Sequence, residues 1–219
     1  MKFNSAMLQV YLVIGTQDVD NQPNRLLDVV KQALAAGVTA VQFRDKDGSR
    51  LHEAERVELG RKVHQLTTAA NVPLFIDDNV QLTEQVGAEG IHVGQTDANV
   101  APLREQHPDW LIGLSVHNVA ELNASAPALP LVDYLGVGPV FATTSKPDAK
   151  QPIGVAGVQA VQKQTALPLV AIGGINTTNV SDLQAVPEVG VSVVSALAKS
   201  DDITKSVQIL KSKGVSHEN

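Results

Sequence analysis

Eight short apolar runs, rich in β-branched residues, recur along the chain with amphipathic segments between them. They are LQVYLVIG (8–15), TAVQFR (39–44), PLFID (73–77), GIHVG (90–94), LIGLSV (111–116), DYLGVG (133–138), PLVAIG (168–173) and VGVSVVSA (189–196). Each gap has room for a helix. The segment LHEAERVELGRKVHQLTTA, for example, places Leu51, Ala54, Val57 and Leu59 in a helical stripe. A final helix fits 202–213, where Ile203, Val207, Ile209 and Leu210 alternate with polar residues. Unbroken strand–helix alternation requires crossover connections and therefore a parallel sheet. Eight such units close naturally into a (β/α)8 TIM barrel of the α/β class. The rival, a doubly wound open sheet, finds no Gly-x-Gly-x-x-Gly fingerprint after the first run. No linker interrupts residues 1–219, so one barrel domain is expected, with its active site at the carboxyl ends of the strands.

Charge narrows the class of partner. The net charge of −6 disfavours nucleic acid and anionic membranes, which makes any local gathering of cations informative. The absence of cysteine excludes disulfides and thiolate chemistry. No apolar run approaches the roughly 18 residues of a membrane span, and MKFNSAMLQVYLVIG shows no signal peptide. A soluble cytoplasmic protein is expected, and a homo-oligomer is compatible with the chain.

The second run continues as VQFRDK. As a strand it sets Val41, Phe43 and Asp45 on one face and Gln42, Arg44 and Lys46 on the other. Unpaired cations on a buried strand are costly, so these must reach water or meet an anion. The other strand ends supply complementary groups: Asp77, Asp78 and Asn79 after the third run, His92 and Asp97 at the fourth, Ser115 and His117 at the fifth. Asp78 and Asp97 follow adjacent strands and suit either a shared Mg2+, which takes hard oxygen ligands, or helix caps. AIGGIN brings Gly173 and Gly174 to a turn before an expected helix start near Thr177 or Thr178. That is compatible with a plain tight turn, or with a phosphate held by backbone N–H groups together with Val194 and Ser195. Arg44, Lys46, Lys146, Thr143, Thr144 and Ser145 form a second anion-binding cluster, the last four in an expected mobile loop at 141–152. His92 reads either as a satisfied core residue or as part of the site. His52, His64, His107 and His217 read as surface positions. With no nucleophile–base pair in view, the chemistry points to positioning and charge stabilisation.

Together, VQFRDK, FIDDN, GAEGIHVGQTD, IGLSVHN, DYLGVGPVFATTSK, VAIGGIN and VSVVSALA resemble the thiamine phosphate synthase family, in the family's order and over about nine-tenths of the chain. The resemblance implies a (β/α)8 barrel. It also implies a transferase joining hydroxymethylpyrimidine diphosphate to hydroxyethylthiazole phosphate, with Mg2+ required and pyrophosphate released before the thiazole nitrogen attacks. On that likeness Gln42, Arg44 and Lys46 hold the diphosphate, Asp78 and Asp97 carry Mg2+, and Ser115 and Lys146 contact the pyrophosphate. His92 lies near the pyrimidine, Thr143 and Ser145 lie beside the thiazole phosphate, and Gly174, Val194 and Ser195 bind that phosphate.

One departure from the family's pattern bears on the site; the segments IGTQDV and APALPLVD are also unusual for the family but carry no functional expectation. Asp77 stands where an asparagine is usual, so a carboxylate replaces an amide that touches the diphosphate. Three resolutions are open: Asp77 ligates a metal, it is protonated, or it pairs with Lys46 or Lys146. Metal ligation is the expectation, because Asp77 and Asp78 would then face one cation. Two other functions are weighed against the synthase. A thiazole tautomerase relative would perform proton transfer without needing the full set of Gln42, Arg44, Lys46, Asp78 and Asp97. A non-catalytic phosphate-ligand binding protein is favoured only by Asp77.

Overall fold

In the computed structural model, which describes residues 1–145 and 149–213, each apolar run holds one strand. The strands are β1 (Val10–Ile14), β2 (Ala40–Phe43), β3 (Leu74–Asp77), β4 (Gly90–Val93), β5 (Leu111–Val116), β6 (Tyr134–Val137), β7 (Leu169–Ile172) and β8 (Gly190–Val193). Each lies parallel to the next, and β8 closes on β1 through Tyr11 opposite Ser192. Between and after them run α1 (Pro23–Ala36), α2 (Glu53–Ala69), α3 (Val80–Val86), α4 (Val100–Gln106), α5 (Val119–Ala124), α6 (Gly154–Gln162), α7 (Ser195–Ala198) and α8 (Ile203–Ser212). Among the described residues no helix is long and apolar enough to cross a membrane.

The period-2 alternation of the strands divides the apolar residues into two cores. Val41, Phe43, Leu74, Ile76 and Ile91 face outward into the layer between barrel and helices. Tyr11, Phe75, Leu111, Tyr134 and Val170 fill the barrel interior, closed at the amino ends of the strands by Phe3, Met7 and Leu8. The chain start therefore acts as a plug: Ser5–Leu8 is a 3-10 turn, and Phe3 stacks on Tyr134 with ring centroids 5.9 Å apart. Leu8, read from the sequence as strand, belongs to this plug.

Two local expectations need correction. Leu51 precedes α2, and Ala54 sits in its first turn and is exposed, whereas Val57, Leu59, Gly60 and Val63 form the buried face. The connection from β7 to β8 holds a 3-10 turn, Val180–Ala185, instead of an α-helix capped near Thr177 or Thr178. Its side chains explain this. Asn179 accepts from the Asn176 N–H at 2.8 Å and donates to the Gly174 carbonyl at 2.9 Å, so asparagine bonds to local backbone replace a helical first turn.

Candidate active site

The inner core is apolar only in its lower part. Toward the carboxyl ends of the strands the inward positions become Gln42, Asp77, His92 and Ser115, and they open into a cavity of about 740 Å³. Arg44, Lys46, Asp78, Asp97, Thr143, Ser145, Gly174, Val194 and Ser195 line the same cavity. The candidate binding residues named from the sequence within the described set thus meet at one mouth, except Thr144, which does not line it, and Asn79, which caps α3. Lys146 lies outside the described residues, as does His217.

VQFRDK works through its alternation. The Arg44 N–H bonds the Ile14 carbonyl at 2.9 Å, extending the β2 register, and carries the guanidinium into the mouth. Asp45, pointing the other way, is buried: its carboxylate accepts from the Thr16 N–H at 2.8 Å, the Ser49 hydroxyl at 2.6 Å and Arg56 Nε at 3.1 Å. This buried acid ties the β1 and β2 loops to α2, and so fixes the segment that presents Arg44 and Lys46. Nothing marked Asp45 in advance except its place between two cations on the opposite face.

The two cations meet carboxylates. Lys46 Nζ lies 3.0 Å from Asp77 Oδ2 and also contacts Asp78, while Arg44 Nε lies 3.4 Å from Asp77 Oδ2. Of the three resolutions open for Asp77, ion pairing is the one this geometry displays. Arg44 also reaches Asp47 at 2.5 Å. Burial, together with the charges of Asp77 and Asp97, raises the Asp78 carboxyl above its ordinary pKa despite the hydrogen bond from Lys46. For Lys46, burial pulls the ammonium down, but its contacts with Asp78 and Asp77 outweigh this and leave it raised. Beside Asp78 the carboxylates of Asp77 and Asp97 join its own against the cations Arg44 and Lys46, so a further cation would be welcome there.

The helix-cap reading of the two aspartates fails on geometry. Asn79 caps α3 by accepting from the Leu82 N–H at 2.9 Å, and Asn99 caps α4 by accepting from the Ala101 N–H at 3.0 Å. Asp97 instead closes its own loop, accepting from the Gly94 N–H at 2.7 Å. Asp78 adopts a left-handed backbone, φ 48°, a strained conformation for a non-glycine residue that turns its side chain into the mouth. Across the barrel, Gly173 and Gly174 have φ of 97° and 67°, and a β-carbon on Gly174 would lie 2.4 Å from the Ala142 carbonyl oxygen. Only glycine fits there. Val194 and Ser195 open the short helix α7, whose first N–H groups have no partner within the helix and so suit an anion.

Some lining groups escaped the sequence reading. Lys150 reaches the cavity and pairs with Glu121. Gln95 Nε2 donates to the Ser115 carbonyl at 2.8 Å. His92 is packed in the core and also lines the cavity, so its two readings describe one residue: Nε2 lies 2.8 Å from Ser115 Oγ and Nδ1 lies 3.0 Å from Tyr134 Oη.

This arrangement has close relatives. Residues 10–197 match the family model described as thiamine monophosphate synthase. The chain belongs to the thiamine monophosphate synthase family. Two curated relatives, both called thiamine-phosphate synthase, come from Oceanobacillus iheyensis (43% identical, covering 96% of this chain and all of that one) and Staphylococcus carnosus (42% identical, covering 94% and 96%). A solved thiamine phosphate pyrophosphorylase from Pyrococcus furiosus superposes with a TM-score of 0.82 at 30% identity, covering 96% of both chains. The synthase family is one of transferases of thiamine biosynthesis, and its barrel is the one described above.

Proposed function

We propose that this chain condenses hydroxymethylpyrimidine diphosphate with hydroxyethylthiazole phosphate to give thiamine phosphate and pyrophosphate. The observation that carries the reading is the pairing, in one cavity, of a cation-and-carboxylate wall with a glycine-and-helix-start wall: Arg44, Lys46, Asp78 and Asp97 against Gly174, Val194 and Ser195. Such a cavity suits two phosphate-bearing substrates, one needing a metal and strong cations, the other held by backbone N–H groups.

In this reading the carbon–oxygen bond between the pyrimidine methylene and the diphosphate breaks first, and its electron pair leaves with pyrophosphate. Arg44, Lys46 and Ser115 neutralise that departing charge, and Lys146 would add to it. The lone pair of the thiazole nitrogen then forms the new carbon–nitrogen bond. Thr143, Ser145, Gly174, Val194 and Ser195 hold the thiazole phosphate so that this nitrogen faces the methylene carbon. Gln42 and His92 position the pyrimidine. The donors also fit Mg2+. Among the described residues no group of three or more His, Cys, Asp or Glu side chains forms a ready cage. However, Mg2+ is usually held by one or two carboxylates with water and substrate phosphates completing the shell. Asp78 and Asp97 would hold it, and when bound it supplies Lewis-acid stabilisation to the leaving pyrophosphate. The decisive assay is pyrophosphate release with each substrate alone and with both: release only when both substrates and Mg2+ are present supports the synthase reading. Proton exchange on a thiazole without pyrophosphate release would favour the tautomerase instead.

A further inference from the structure

A continuous line of polar groups, buried from Gln42 to His92 and half-buried at Ser115, crosses the barrel beneath the cavity. Gln42 Nε2 lies 3.0 Å from Tyr11 Oη, which lies 3.0 Å from Tyr134 Oη, which lies 3.0 Å from His92 Nδ1. His92 Nε2 then lies 2.8 Å from Ser115 Oγ. The line runs from β2 through β1, β6 and β4 to β5, and both its ends stand in the cavity. We infer that Gln42, Tyr11 and Tyr134 form a one-way hydrogen-bond chain that holds His92 in its Nε2–H form, so that Ser115 keeps its own hydroxyl proton for an anionic ligand.

The direction follows from counting protons. Gln42 donates to Tyr11, so the single phenolic proton of Tyr11 goes to Tyr134. Tyr134, accepting that bond, gives its proton to His92 Nδ1, which must be bare to receive it. The neutral imidazole then carries its proton on Nε2 and donates to Ser115 Oγ. Ser115 has its own proton left over. Burial raises the pKa of both phenols, so each keeps the proton that this count requires. Run the other way, the chain would consume the Ser115 proton on His92 and present only lone pairs to an anion. The direction is set by the Gln42 amide N–H, which can only donate; what it does for an anion rests on the reading that Ser115 faces pyrophosphate.

Space has been cleared for the chain. A β-carbon on Gly113 would lie 2.3 Å from Tyr134 Cζ and 2.4 Å from His92 Nδ1, and one on Gly136 would lie 2.9 Å from His92 Cε1. Two neighbouring strands thus give up a side chain where the Tyr134–His92 link passes. Tyr11 and Tyr134 are positioning residues here: they act on the ligand only through His92 and Ser115.

The test is nitrogen NMR of the full-length protein labelled with 15N-histidine, at about pH 8, where an ordinary histidine is neutral. The expected spectrum shows His92 with a bare Nδ1 and a protonated Nε2. Tyr134→Phe keeps the ring and its packing but removes the link, and should give His92 a mixture of both neutral forms. In the same variant kcat for pyrophosphate release should fall about threefold to tenfold, the worth of one hydrogen bond, with KM little changed. A protonated Nδ1 in the unmodified protein would overturn the proposal. So would a doubly protonated ring, or an unchanged His92 spectrum in Tyr134→Phe. Because the spectrum is read without substrate, its failure is separable from failure of the synthase reading, which the release assay decides.

Discussion

Replacing Asp77 with Asn removes a carboxylate from between the two cations that would meet a diphosphate. In the structure Asp77 Oδ2 lies 3.0 Å from Lys46 Nζ and 3.4 Å from Arg44 Nε, so a ligand must share both cations with it. A phosphate charge about 5 Å from the carboxylate is repelled by roughly 3 kcal/mol at an effective dielectric near 20. Water reaches the site, since a third of the Lys46 side chain is exposed (34%), and the loss of pre-ordered Arg44 and Lys46 offsets part of the gain. A net gain of about 1.4 kcal/mol remains, or roughly tenfold in affinity. Titration calorimetry of inorganic pyrophosphate into each protein, with Mg2+ present, measures it directly. Asp77→Asn should bind pyrophosphate about tenfold more tightly, with its Mg2+ requirement unchanged. Weaker pyrophosphate binding, or a variant needing far more Mg2+, would refute this reasoning and restore metal ligation as the role of Asp77.

Two further substitutions probe how the site is held. Asp45→Asn should cost about 3 kcal/mol, because the buried carboxylate loses charge-assisted bonds to Arg56, Ser49 and Thr16; the melting temperature should fall by about 6–12 °C. A fall of less than about 2 °C in a thermal melt would show that this acid does not anchor the loop. Gly113→Ala should cost about 1–3 kcal/mol in a denaturant titration, since the added carbon meets Tyr134 and His92 at 2.3 and 2.4 Å. An alanine variant as stable as the parent would mean that the ring pair relaxes freely.

The barrel is legible because its strands are buried on both faces and therefore read as continuous β-branched runs bounded by turns. Helix extents are less so. Thr177 and Thr178 resemble a helix start, yet Asn176 and Asn179 hold their segment as a turn through bonds that no hydrophobic period reveals. The cations and carboxylates of the site are legible because polar residues at the end of an apolar strand stand out. Tyr11 and Tyr134 do not stand out: an aromatic in an apolar run reads as core, and only the closed barrel shows their hydroxyls meeting 3.0 Å apart. Asp45 is hidden for a related reason. Strand alternation puts it on the outer face, but only the fold places Arg56 and Thr16 around it. Metal binding stands between these cases: the structure removes the capping alternative for Asp78 and Asp97 by giving both caps to asparagines.

The most direct test of the account is formation of thiamine phosphate by the purified chain with both substrates, first with Mg2+ and then with excess chelator. The account predicts product and stoichiometric pyrophosphate with Mg2+, loss of both with chelator, and recovery when Mg2+ is restored. A folded protein that binds the substrates yet forms no product at any Mg2+ concentration would contradict it.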